Sequence, residues 1–133
     1  MRNLSQLGGA AEPAREGDRS LAAQRTAYGA LLRESLDRIV ASLAALDEVE
    51  RVSVFGSYAR GRADLGTDLD VLVVMRTDRG FVERLGALYS RLAAPVDLDL
   101  LCYTPEEFAA MEEGPFLRRI RDGEVILYEK NPA

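Results

Sequence analysis

The stretch Asp68-Leu-Asp-Val-Leu-Val-Val-Met75 constrains this chain more than any other. From Val71 to Met75 it carries no polar residue, so its far end is apolar on both faces. A strand of that kind belongs at the centre of a sheet covered on both sides. Its near end is different, because two acids stand there two residues apart. Side chains alternate along a strand, so Asp68 and Asp70 share a face. They lie about 6–7 Å apart along the backbone by the usual strand rise. Two like charges in that position repel unless something positive neutralises them.

The flanking sequence supplies the rest of a mixed α/β sheet. Tyr28, Leu32, Leu36, Ile39, Leu43 and Leu46 recur at helical spacing, which predicts an amphipathic helix from about Leu21 to Leu46. Arg51-Val-Ser-Val-Phe55 reads as a strand that stops at Gly56-Ser57, where a loop or a helix N-terminus begins. Phe81, Leu85, Leu88 and Leu92 mark a second helix, and Val96 to Tyr103 a third strand. Thr104-Pro-Glu-Glu107 is a helix start with a cap, a first-turn proline and a capping-box glutamate. Gly114-Pro115 should break or kink that helix, Asp122-Gly123 should end it, and Val125 to Tyr128 makes a last strand. The expected fold is thus a small mixed sheet of about four strands packed by helices. Residues 1–19, with Gly8, Gly9, Pro13 and Gly17 and no apolar period, read as a flexible arm before one domain over 20–133.

Composition narrows the chemistry. The 133 residues include no histidine, which removes Ser-His-Asp and Cys-His triads and His-ligated zinc together. Catalysis must rest on carboxylates, hydroxyls, arginine or a metal held by oxygen. Seventeen basic against 22 acidic residues give a net charge of −5, which argues against bulk electrostatic binding of nucleic acid. No apolar run is long enough to cross a bilayer, and no basic start precedes an apolar segment. With Cys102 as the single cysteine, a reducing cytoplasm is the expected location.

The glycine of Gly56-Ser57 lets the chain turn sharply and approach a ligand closely. A helix beginning at Ser57 would offer free N–H groups and a hydroxyl to a phosphate, with Arg60 and Arg62 in the same loop. Phosphate donors and metal-binding carboxylates on neighbouring strand ends are what a nucleoside triphosphate with Mg2+ requires. A P-loop is a near miss at Gly56 to Ala63, lacking its Lys and its Ser/Thr.

Gly56-Ser57, ten residues, then Asp68-x-Asp70 resembles the nucleotidyltransferase superfamily with the DNA-polymerase-β-like fold. The wording from Phe55 to Val74 is most similar to the minimal nucleotidyltransferases, and the likeness runs from about Val49 to Phe108. Thr67 stands where many members have Ser, and the hydroxyl is kept. Two-metal phosphoryl transfer usually uses a third carboxylate. Asp97 and Asp99 are two apart on the third strand and share a face, so direction leaves both open. The resemblance favours Asp99, because Asp99-Leu-Leu-Cys-Tyr-Thr-Pro-Glu-Glu-Phe108 matches the family pattern after its third acid.

The resemblance implies an Mg2+-dependent enzyme, with two ions, that moves AMP from ATP onto a hydroxyl. Asp68, Asp70 and Asp99 would bind metal and catalyse, while Gly56, Ser57 and Arg60 would bind the nucleotide. It further implies a HEPN-domain partner protein and an antitoxin role of the type VII kind. The chain is small for a bulky acceptor, so a homo- or hetero-oligomer is expected to complete the site. Two other readings remain: transfer to a small molecule such as an aminoglycoside, and a docking module without catalysis.

Overall fold

The computed structural model describes residues 12–131, with side chains from residue 20 onward. Helix α1 spans Glu12–Ala44 and is followed by β1 (Val49–Phe55), the short α2 (Gly56–Ala59), β2 (Leu69–Met75) and α3 (Phe81–Arg91). β3 (Leu98–Tyr103), α4 (Pro105–Ala110), α5 (Pro115–Arg121) and β4 (Val125–Glu129) complete the chain. The four strands form one sheet in the order β3-β2-β1-β4, with β2 and β3 parallel and the other pairs antiparallel. β2 is central, as its apolar run demands, and six of its seven residues are buried.

The two faces of the sheet are covered unequally. One carries α1 and α3. Leu32, Leu36, Ile39 and Leu43 of α1 and Leu88 of α3 pack there on Val52, Val54, Val71, Val73, Leu100 and Cys102. The other face carries α4 and α5, whose Leu117 and Ile120 cover Leu72 beside Phe55, Leu101, Tyr103 and Phe108. Strand alternation therefore directs Asp68, Asp70 and Asp99 to the α4–α5 side, beyond the end of its apolar cover.

Most boundaries follow the sequence signals. Thr104 caps α4 with a complete capping box, and Gly114-Pro115 separates α4 from α5. The exception is α1, which begins at Glu12, several residues before the apolar period and inside the stretch read as an arm. Glu, Ala and Arg there have good helical propensity even without a buried stripe. The rest of that arm, residues 1–11, lies outside the described residues. No described helix is long and apolar enough to cross a membrane.

A buried arginine ties the layers together. Arg84 of α3 is 5% exposed. It donates to the carbonyls of Arg79 and Cys102 and, at 2.6 Å, to the Glu107 carboxylate. Glu107 thus closes the α4 capping box and also neutralises the arginine.

Candidate active site

The site forms where β1 ends and β2 and β3 begin. β1 delivers the chain to Gly56, whose φ of +76° is costly for any other residue. A second constraint acts at the same position. A Cβ on Gly56 would lie 3.1 Å from Asp70 Cγ and overlap a carboxylate oxygen of that residue. Phe55 is the register partner of Asp70, so the glycine turn and the first acid of β2 are pressed together. The two halves of the sequence motif are thus one piece of packing.

α2 starts at Gly56 and runs four residues, with Ser57 half-buried in its first turn. N–H groups in a first helical turn have no intrahelical acceptor. Arg60 follows as the C-cap, exposed, with its stem across Gly123 at the head of β4. Its charge acts on Asp70 and favours the ionised carboxylate. Arg62 is instead paired with Asp64 at 2.8 Å.

The carboxylates are set by the parallel register of β2 and β3. Asp70 pairs with Asp99, and their carboxyl groups come within hydrogen-bonding reach of each other. Asp68 lies just outside β2 and is exposed; Asp97 lies just outside β3, where its carbonyl accepts from Leu69 N–H at 3.0 Å. Depth therefore separates the two acids that direction could not: Asp99 is level with Asp70, and Asp97 is one step further out. The Asp70 carboxyl is pushed up to about 6, first by burial, then by the charges of Asp99 and Asp68.

Among the described residues, no three carboxylate, histidine or thiol groups converge closely enough to hold a metal as the side chains stand. The arrangement is a facing pair, Asp70 and Asp99, with Asp68 at its mouth. This donor set fits a hard divalent cation, because it is all carboxylate oxygen and Mg2+ is often held by one or two carboxylates plus substrate phosphates. Asp68 stands exposed at the strand mouth.

The loop between α2 and β2 is organised by Asp64, which the sequence reading passed over. Asp64 accepts from Arg62 Nε, Gly66 N–H and the Thr67 hydroxyl. Its carboxyl is held down at about 2, chiefly by Arg62 and then by the Gly66 N–H. Thr67 is fully buried, and its hydroxyl also accepts from Asp64 N–H at 3.0 Å. The signal was an Asp three residues before a Thr in a glycine-containing turn, a common self-bonding pattern. Tyr58 packs on the main core. Arg121 lies over the Phe108 ring at 5.3 Å, while Arg118 and Arg119 are exposed.

Comparisons with known proteins bear on the family and the fold. The family model described as a nucleotidyltransferase domain matches residues 36–133. A Sulfolobus solfataricus protein assigned by inference as a nucleotidyltransferase has a similar fold, with a TM-score of 0.52 and 18% identity. That match covers 84% of this chain and 88% of the other. The mutant toxin–antitoxin structure MntA–HpeT matches at a TM-score of 0.47 and 18% identity, over 71% of this chain and 72% of that one. No curated protein matches the sequence significantly.

Proposed function

The chain belongs to the nucleotidyltransferase domain family, and from that premise we propose that it transfers AMP from ATP to a hydroxyl of a partner protein. The observation that carries the reading is the Asp70–Asp99 pair, in register at the foot of Gly56 and flanked by Asp68. Asp68, Asp70 and Asp99 would hold Mg2+, as one or two ions, which when bound neutralises charge developing on the phosphates. Gly56 and Ser57 face the triphosphate with first-turn N–H groups and a hydroxyl, and Arg60 adds a positive charge. The acceptor oxygen attacks the α-phosphorus, its proton passes to Asp99, and the bond to the bridging oxygen breaks to release pyrophosphate.

The acceptor side rests on the resemblance in sequence, by which a second protein supplies the acceptor hydroxyl. By likeness to the minimal nucleotidyltransferases that protein is a HEPN-domain partner, the pair acts as antitoxin and toxin, and both are cytoplasmic. The experiment compares label transfer from α-labelled and γ-labelled ATP to the co-expressed partner. Label should pass only from the α position. Asp99→Asn should lower the rate at least ~10²-fold, the scale for losing a general base, while Asp97→Asn keeps most of it. A dead Asp97→Asn with an active Asp99→Asn would move the role to Asp97. Full activity in both would remove the third carboxylate from the mechanism.

A further inference from the structure

The family match begins at residue 36, yet α1 begins at Glu12. The turns of α1 before residue 36 therefore lie outside the matched domain, and they meet the site loop at two points. Tyr28 donates from its hydroxyl to the Thr67 carbonyl at 3.3 Å, across 39 residues of chain. One residue on, Gly29 lies against Ala63, with 3.6 Å between the Ala63 carbonyl and the position a Cβ would take on the glycine. The loop from Ala63 to Thr67 is held internally by Asp64 and externally by this helix.

The carbonyl that Tyr28 holds belongs to the residue immediately before Asp68. Asp68 itself lies outside the strand, so no ladder fixes it. Tyr28 is close enough to feel both mouth acids: burial raises its pKa, and the charges of Asp97 and Asp68 raise it further. Its ring is partly buried and packs against the main core.

We propose that Tyr28 is a positioning residue for Asp68: through the Thr67 carbonyl it holds the site loop so that Asp68 stands ready beside the Asp70–Asp99 pair. The turns of α1 outside the family domain are in this way a working part of the site. The proposal rests on the metal-binding reading above. It predicts that the helix extension tunes metal affinity while leaving the core of the domain intact.

The test uses Tyr28→Phe, which keeps the ring and removes the hydroxyl, with Leu36→Ala as a control that weakens the α1 core contact away from the loop. Two quantities are read in the full chain: the dissociation constant for Mn2+ alone, by electron paramagnetic resonance, and amide hydrogen exchange of residues 64–69. Tyr28→Phe should raise the Mn2+ dissociation constant about fivefold, the scale of one lost hydrogen bond, and speed exchange of the loop. Its melting temperature should stay near that of the parent. Leu36→Ala should lower the melting temperature and leave Mn2+ affinity unchanged. Parental affinity and loop exchange in Tyr28→Phe would overturn the proposal, as would an equal loss of affinity in Leu36→Ala. Absence of Mn2+ binding by the parent would overturn the metal reading instead, and loop exchange would still decide whether Tyr28 braces the loop.

Discussion

Asp70 is held in a state that suits a ligand better than it suits the fold alone. Its carboxyl sits beside Asp99, under Gly56, and ionises only near pH 6. A carboxyl raised above its unfolded value makes the native state bind more protons than the unfolded one. The contribution of Asp70 to metal-free stability is therefore complete below about pH 4 and is lost as pH rises through about 6. Asp70→Asn should raise the metal-free melting temperature at pH 8 and flatten its slope between pH 4 and 6, while abolishing transfer. Thermal melts across that range check it, and an unchanged slope would contradict it. This residue was legible in the sequence because an acid at the head of an apolar strand is conspicuous. Its contact with Gly56 was not, since only the β1–β2 register brings the two together.

At the scale of elements, the parallel register of β2 and β3 decides which acids meet, and α4 is fixed to that register from behind. Thr104, Pro105 and Glu107 announced the α4 start, because capping is local chemistry. Arg84 gave no such signal: in sequence it is one more arginine on a helix, and its burial follows from the packing of α3 against β3 and α4. Its guanidinium satisfies two carbonyls and one carboxylate; Glu107 is partly exposed and keeps the Thr104 N–H, so Arg84→Ala strips chiefly the two carbonyls. The loss should be about 1–3 kcal/mol of stability, the scale for buried acceptors left unsatisfied. Urea unfolding of the variant measures it, and a change under about 0.5 kcal/mol would show the network to be dispensable. The early start of α1 was illegible for the opposite reason, because those residues carry helical propensity without the apolar stripe that periodicity reads.

The molecule as a whole is a sheet buried at one end and acidic at the other. Central β2 supplies both, with its run from Val71 to Met75 closing the core and Asp70 opening the site. A net charge of −5 makes the whole protein a poor attractor of a polyphosphate, so nucleotide binding has to come from local donors and a cation. Calorimetric titration of the full chain with ATP, in Mg2+ and again in EDTA, tests this account most directly. ATP should bind in Mg2+ and weaken at least ~10-fold without it, since bridging of carboxylates to phosphates is the role assigned to the metal. Equal affinity with and without the metal, or no binding in either, would contradict the assignment of Asp68, Asp70 and Asp99 as a metal–nucleotide site.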